Sequence, residues 1–383
     1  MIEQLEYTTL QHLWWLLCSV VGALFLFLTF VQGGQSLLWQ VAKNQTEKDL
    51  VINSLGRKWE LTFTTLVLFG GALFASFPKF YSTSFGGAYW VWILILFTFI
   101  VQAVSYEFRR KPWNIFGSLV YEGFLFLNGV VGILLIGAAV GTFYTGSHFQ
   151  LNASNFVTWT HPLRGLEAAL SPSISSLFNI ALGLFLVFNA RTLGAMYLVN
   201  NLELGEVPEM EERLRKACWQ NFIIALPLCL LIVVALLFMR GYGIVDAKGT
   251  IEIVSFKFLR NLLANPWLLG LLVAGLALLI LGVWKTTKTA ETGGIWFGGL
   301  GTVLIGLTVL LLPAYNNTAF YPSKVDLQSS LTIYNASSSP YTLKVMTYVA
   351  LGIPFVLAYI AYVWWLMNRE KIKIEDTGDR AAY

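Results

Sequence analysis

Long apolar stretches alternate with short polar segments along most of this chain. Nine stretches are long enough for a helix to cross the hydrocarbon core of a bilayer, which takes about 20 residues. All nine are predicted to be helices, because an open strand cannot satisfy its backbone groups in lipid. The predicted spans are residues 13–31, 61–77, 89–104, 119–142, 174–197, 218–238, 267–284, 293–312 and 344–367.

The segment 53–110 shows this pattern most clearly. Two apolar runs flank a short loop that begins at Pro78-Lys79, and the first run is interrupted only by Gly70-Gly71. The pattern predicts a helical hairpin with ionisable groups at the same end of both legs. Those ends carry Trp59, Glu60, Glu107 and Arg109.

Composition excludes a water-soluble globular protein. Hydrophobic residues make up 56% of the 383 residues and charged residues 12%, about half the usual charged share of about 25%. The net charge of +4 does not indicate nucleic-acid binding, because the basic residues lie in loops between spans. The first residues lack the basic segment and cleavage site of a signal peptide, so the first apolar run is predicted to be a retained span.

Basic residues predict the orientation of the chain. With the N-terminus outside and the C-terminus in the cytoplasm, the inner segments hold about twice as many lysine and arginine residues as the outer ones. The short loops support the same orientation. The predicted inner loop has three basic residues at 109–111, whereas the predicted outer loop has only Lys79. Positive residues favour cytoplasmic loops.

Ionisable side chains within membrane spans are costly and are functional candidates. Glu60, Glu107 and Glu122 all fall toward the predicted cytoplasmic side, together with Gln32, Gln35 and Gln102. One interpretation is a water-filled half-channel that admits protons. The other is structural, in which Glu107 pairs with Arg109 and Glu60 is a first-turn acid that the helix dipole favours.

Arg191 lies within the fifth predicted span, close to Asn189. A structural role is favoured, in which Arg191 extends to the inner interface or pairs with a carboxylate of another helix. A bound lipid or a partner subunit is the alternative ligand.

Cysteine and histidine residues give no metal or haem signature. The three cysteines lie in or beside apolar runs without metal spacing or a disulfide framework. Of the three histidines, only His12 approaches a span, whereas His148 and His161 lie in an outer loop. Haem ligation within the bilayer requires His or Met at that depth. No catalytic or metal-binding residue is therefore predicted, and the chain is not expected to act as a free-standing redox enzyme.

The hairpin residues resemble subunit II of the cytochrome bd quinol oxidases. The run 329–350 looks like the last outer loop and ninth helix of that family, so the resemblance spans the whole chain. The matching positions are Trp14-Trp15, Asn53-Ser54, Trp59-Glu60, 70–75, Pro78, Tyr81, Phe85, Gly87, Tyr89, Glu107 and Arg109.

The resemblance implies an all-α integral membrane fold of two four-helix bundles and one peripheral helix. On this basis residues 1–383 form a single membrane domain, with halves at 1–142 and 174–312, a ninth helix at 344–367 and a cytoplasmic tail at 368–383. It also implies a location in the bacterial inner membrane, surrounded by lipids.

The same resemblance implies a haem-free subunit that pairs with a haem-bearing subunit I, in some complexes with a small single-span subunit. The complex, with haems b and d in subunit I, oxidises quinol and reduces O2 to water, which builds a proton-motive force. Trp59 and Glu60 resemble the family's cytoplasmic proton entry, and Glu107 and Glu122 fall on acidic positions. Some members hold a structural quinone in this subunit, but no residues here mark such a site.

This sequence departs from the family at polar positions of the predicted proton route. Gln32-Gly33-Gly34-Gln35 stands where many members have Asp-Gly-Phe-Asp, Leu61-Thr62 replaces a Gly-Asn pair, and Gln102 replaces an arginine. The sequence therefore predicts a rebuilt or weakened route. An independent transporter or channel lined by Glu60, Glu107, Glu122 and Arg191 is the alternative function.

Overall fold

The computed structural model describes residues 5–246 and 248–378, and helices form most of it. The prediction of a helical membrane fold is confirmed. Two helical segments contain π-helical turns, at Ser82–Gly86 and Asn128–Gly132. The α-helices are α1 (Tyr7–Leu28), α2 (Phe30–Val41), α3 (Gln45–Gly56), α4 (Trp59–Ser76), α5 (Pro78–Tyr81), α6 (Tyr89–Phe108), α7 (Ser118–Leu127), α8 (Ile133–Thr145), α9 (Glu167–Leu170), α10 (Ile174–Asn201), α11 (Pro208–Phe238), α12 (Lys257–Ala264), α13 (Pro266–Lys288), α14 (Gly294–Leu311), α15 (Ile333–Ala336), α16 (Pro340–Ala350) and α17 (Ile353–Met367).

Short strands, which the sequence pattern did not predict, form three antiparallel pairs in the loops after the fourth, sixth and eighth spans. Phe149 lies opposite Trp159 in the first pair, and Gly241 lies opposite Val254 in the second. Isolated bridges join the three loops into one cap at that end of the helices. The strands are β1 (Phe149–Leu151), β2 (Val157–Trp159), β3 (Gly241–Ile244), β4 (Ile251–Val254), β5 (Ala319–Tyr321) and β6 (Leu331–Thr332).

Eight helices of the described residues are long and apolar enough to cross a membrane, and the count is nine when the bent pair α16–α17 is taken as one span. The first span is longer than predicted, because α2 continues α1 through to Val41 rather than ending at residue 31. Gln32 and Gln35 therefore lie inside a helix. Neighbouring helices bury both side chains, so a helix can continue there although the apolar pattern stops.

Helix α10 is the centre of the packing. It contacts α2, α8 and α11, while α1 packs on α14. Glycine allows the close approach of α2 and α10, since a Cβ atom on Gly33 would lie 1.8 Å from the carbonyl oxygen of Ala190. Small residues commonly permit such contacts between membrane helices. The predicted halves thus share a broad interface, and their division at 1–142 and 174–312 stays a prediction.

The ninth span lies at the edge of the described chain. Its two helices meet at a bend of 41°, and α17 has no buried residue. Beyond α17 the chain turns back, and Ile372 pairs with Leu202. At the opposite end of the bundle, Tyr7 donates a hydrogen bond to the carbonyl oxygen of Ser338. Which end faces the cytoplasm stays a prediction, and the last residues of the predicted tail, 379–383, lie outside the described residues.

Candidate functional site

A buried ion network joins three helices near the inner end predicted from the sequence. Arg109, the residue after α6, donates from Nε and Nη2 to one oxygen of Glu122 on α7, at 3.2 and 2.9 Å. It also donates from Nη1 to Asp49 of α3 at 2.7 Å. Lys48 donates to the second Glu122 oxygen at 2.8 Å. Two cations and two carboxylates thus neutralise one another, and Trp39 of α2 adds an indole hydrogen bond to Glu122 at 3.1 Å.

Burial makes this network important for folding. The side chains of Arg109 and Glu122 are each only 1% exposed. Removing one member of such a pair leaves an uncompensated charge in a poorly hydrated place, which costs several kcal/mol. The network fixes the end of α6 and the start of α7 against α3 and thereby positions this end of the first hairpin.

Glu107 is separate from this network. Its side chain is 61% exposed and lies 3.4 Å from Lys111, one helical turn further along the chain. The predicted pairing of Glu107 with Arg109 is wrong, because residues two positions apart on a helix point in different directions. Arg109 instead reaches across to α3 and α7.

Trp59 and Glu60 begin α4 and differ in burial. Glu60 is exposed in this chain, whereas Trp59 is partly buried. The Trp59 ring stacks on Tyr106 at a centroid distance of 5.8 Å and an angle of 10°. The hydroxyl of Tyr106 accepts a hydrogen bond of 2.8 Å from Gln35. The exposed Glu60 is thus adjacent in sequence to Trp59. Trp59 contacts Tyr106, and Tyr106 contacts the buried amide of Gln35 on α2.

Four buried amides, named here the amide cluster, lie on α2, on α6 and on the π-helical turn Asn128–Gly132, which contacts both helices. None is more than 1% exposed. Gln32 and Gln102 have no hydrogen-bond partner for either amide atom within the described chain, and the carbonyl oxygens of the other two also have none. The members are Gln32, Gln35, Gln102 and Asn128.

Local contacts bring the amide cluster together. Asn128 donates to Thr98 of α6 at 3.3 Å, and Thr98 precedes Gln102 by one helical turn. The backbone of Gln32 packs on Gly129, where an added Cβ atom would lie 2.4 Å from the carbonyl oxygen of Gln32. By helix rise, the polar face of α6 extends from Arg109 to Thr98 over about 16 Å. Irregular π-helical turns such as this one are frequent at functional sites.

Sequence reasoning missed several of these residues. Lys48 and Asp49 lie in a polar segment that the sequence pattern does not distinguish from a loop. In the structure this segment is helix α3, and both side chains contact the buried pair of Arg109 and Glu122. A signal existed for Asn128, because Asn128-Gly129 interrupts an otherwise apolar span.

Arg191 of α10 forms a separate polar contact between helices. It donates to Asn221 of α11 at 2.7 Å, to the Ser36 carbonyl oxygen at 2.8 Å and to Gln40 at 2.6 Å. These acceptors are neutral, and within the described part of the chain no ion pair is formed by Arg191. The guanidinium therefore joins α2, α10 and α11 through hydrogen bonds and not through a carboxylate.

Metal-ligating groups are not assembled in the part of the chain that is described. No set of three or more His, Cys, Asp or Glu side chains in residues 5–246 and 248–378 is arranged to hold a metal ion. The cysteines Cys18, Cys218 and Cys229 are buried and free.

The fold and the buried polar groups define a multi-pass helical membrane protein with a charged network and an amide cluster near one end. The profile of the family described as cytochrome bd terminal oxidase subunit II matches residues 10–367. The chain belongs to this family, as the resemblance of the hairpin indicated. It is accordingly a subunit of an oxygen-reducing oxidase of the bacterial cell membrane.

Individual relatives agree along almost the full length. Cytochrome bd-I ubiquinol oxidase subunit 2 of Escherichia coli (strain K12) is 27% identical over 375 residues, which cover 95% of each chain. Cytochrome bd ubiquinol oxidase subunit 2 of Bacillus subtilis (strain 168) is 23% identical, covering 94% of this chain and 96% of the relative.

A solved structure supports the fold. A chain from the structure of bd oxidase from Geobacillus thermodenitrificans superposes with a TM-score of 0.66, at 14% identity. The match covers 95% of this chain and all of the other. At that identity the similarity establishes the fold alone.

Proposed function

We propose that this chain is the haem-free subunit II of a quinol:O2 oxidoreductase and that it supplies protons from the cytoplasmic side through the amide cluster. In this role it pairs with a haem-bearing subunit I, where haems b and d carry out quinol oxidation and O2 reduction. Family membership favours this role over the independent transporter. The observation that carries the proton route is the set of buried amides that Trp59 approaches through Tyr106, each with at least one polar atom that has no hydrogen-bond partner among the described residues.

The amide cluster is an unusual feature for a purely structural interior. A buried amide left without a partner costs about 1–3 kcal/mol, and buried polar groups are normally satisfied by protein or by ordered water. Water bound to amides that both donate and accept can pass protons along hydrogen bonds without a titrating side chain. In this proposal Gln32, Gln35 and Gln102 guide such water, and Gln32 and Gln35 stand where many members of the family have acidic residues.

The proposed inlet is Glu60. It lies at the surface next to Trp59, and the Trp59–Tyr106–Gln35 contacts lead from there to the amide cluster. Glu122 belongs to the neutralised ion network, and we assign it the role of holding the inner ends of α6 and α7 in place. Glu107 is paired with Lys111 on an exposed surface, which makes it the weaker inlet candidate.

Glu60→Gln tests the inlet in the assembled complex. The substitution keeps size and removes the charge, so O2 consumption should slow while haem content stays intact. Glu107→Gln is the matched control, since it removes a similarly exposed carboxylate at the same end of the hairpin. Equal turnover of the two variants and the unmodified complex would remove Glu60 from any rate-limiting proton path.

Purification through a tag on this chain tests the oxidase role itself. In gentle detergent, a second large subunit and haem b and d bands in the reduced-minus-oxidised spectrum are expected. After the subunits are separated, the haem should remain with the partner. A colourless single chain that catalyses transport in liposomes would overturn the proposal in favour of a transporter.

A further inference from the structure

Two histidines and a buried carboxylate meet in the cap of loops, far from the amide cluster. His148 immediately precedes β1, His161 follows β2, and Glu167 is the first residue of α9. The Glu167 oxygens lie 3.5 Å from Nδ1 of His148 and 3.7 Å from Nδ1 of His161. The two imidazole centroids are 5.5 Å apart. Glu167 is only 3% exposed, so this carboxylate faces the histidines rather than solvent.

Hydrogen bonding in this cluster is incomplete. Within the described residues, neither Glu167 oxygen has a hydrogen-bond partner, and the same holds for Nδ1 of His148. The Nδ1 atom of His161 accepts a hydrogen bond from the Leu163 amide at 3.2 Å. A nitrogen that accepts from Leu163 cannot also donate to Glu167. The turn at 161–163 is therefore built around an unprotonated Nδ1 on His161.

The cluster borders a seam between two loops, defined here as Ser147–Phe149 packed on residues 322–324. The Ser147 amide donates to the Pro322 carbonyl oxygen, and the Lys324 amide donates to the Ser147 carbonyl oxygen, both at 2.9 Å. The Ser323 hydroxyl donates to the Phe149 carbonyl oxygen. His148 and Lys324 thus lie on opposite sides of this seam.

Burial and a neighbouring ammonium group oppose the protonation of His148. Burial and the Lys324 ammonium, with a smaller contribution from His161, lower the pKa of His148, and Glu167 offsets this only in part. Burial also lowers the pKa of Lys324, with Glu167 acting in the opposite direction. Tyr321 of β5 also faces the cluster, and burial raises its pKa to about 12, so it stays neutral.

We propose that His148, His161 and Glu167 form a proton-sensitive latch that keeps the seam closed while His148 is neutral and loosens it when His148 is protonated. A proton on His148 places a second cation beside Lys324 across the seam. This change disturbs the loop 147–166.

The sign of the pH effect follows from proton linkage. Since the pKa of His148 is lower in the closed seam than in the open one, the open form binds more protons. The stability that His148 contributes is thus present above its ordinary pKa of about 6.5. It is lost as pH falls below that value, until the lowered pKa of the closed form is reached.

Hydrogen exchange of the assembled complex between pH 7.5 and 5.0 tests the latch. After correction for intrinsic rates, exchange of peptides from 147–166 and 322–324 should rise as pH falls, approaching tenfold per pH unit where one extra proton is bound on opening. His148→Gln should remove most of this dependence. Lys324→Met should weaken it, because the pKa of His148 then returns toward its ordinary value.

His12→Gln provides the matched control, since His12 is the third histidine of the chain and lies at the start of the first span. It should leave the pH dependence of 147–166 unchanged. Exchange that does not vary with pH, or that varies equally in His148→Gln and the unmodified complex, would overturn the latch. A merely structural role of His148 would change the exchange rate at every pH without changing its slope.

Discussion

Arg109, which follows α6, donates two hydrogen bonds to the same oxygen of Glu122 on α7, and both side chains are almost fully buried. Lys48 neutralises the other Glu122 oxygen, and Asp49 takes the remaining arginine nitrogen. The first hairpin is thus tied to α3 and α7 at the end that carries Arg109.

Glu122→Gln should destabilise the complex strongly. The amide replaces one carboxylate oxygen with an NH2 group that faces the cations, so Arg109 and Lys48 lose their main counter-charge. Breaking a buried pair in this way costs about 3–5 kcal/mol. The effect is measured as the melting temperature of the purified complex, with loss of the intact complex on heating monitored by size-exclusion chromatography.

Glu107→Gln is the control for that experiment, because its ion pair with Lys111 is exposed and i,i+4 pairs of this kind contribute less than about 1 kcal/mol. A melting temperature equal for both variants would contradict the structural weight given to the Arg109–Glu122 pair.

Arg191→Ala should reduce assembly of the complex. The arginine supplies hydrogen bonds to α2 and α11 at once, and its loss removes the donor to the buried Asn221 side-chain oxygen and the contact with Ser36 and Gln40 of α2. Arg191→Lys should rescue only part of the yield, because an ammonium cannot reproduce the planar fork of a guanidinium. Arg110→Ala is the control, because it removes an exposed arginine and should leave the yield of the complex unchanged. A normal yield of the complex with Arg191→Ala would count against a structural role of Arg191.

Gly33→Ala should separate α2 from α10. The added carbon would meet backbone atoms of Ala190 and Arg191, which cannot rotate away as a side chain can, so overpacking of about 1–3 kcal/mol or more is expected. Gly71→Ala is matched to it, since an added carbon there meets nothing within 4 Å. The yield of the assembled complex is measured for both variants. A normal yield with Gly33→Ala would contradict the prediction and show that α2 and α10 can move apart without loss of assembly.

Hydropathy was sufficient to predict that the apolar stretches are helical spans, because lipid imposes a minimum length on a spanning helix and excludes open strands. It failed where helices meet each other instead of lipid. Gln32 and Gln35 marked the end of the apolar pattern, yet α2 continues to Val41 because neighbouring helices cover its polar face.

The site was predicted only in part for a related reason. The span boundaries and the distribution of basic residues placed Glu60, Glu107 and Glu122 toward one end of the bundle, but they do not show which face of each helix these residues occupy. Glu122 is buried, whereas Glu60 and Glu107 are exposed. The contact of Asp49 with Arg109 joins positions 60 residues apart, and packing alone determines such a pairing.

Gln102→Leu tests the proton route through the amide cluster most directly. Gln102 makes no hydrogen bond in the described chain, so leucine should not lower stability, yet it removes both polar atoms from the route. Oxygen consumption by the purified complex, compared with its haem content and melting temperature, is the measurement. The control is Gln11→Leu, which loses hydrogen bonds to Ser337 and Tyr334 at the other end of the bundle.

The predicted result is slower turnover of Gln102→Leu with unchanged haem content and melting temperature, whereas Gln11→Leu loses stability and keeps its turnover per haem. Full turnover by Gln102→Leu would contradict a proton route through the amide cluster.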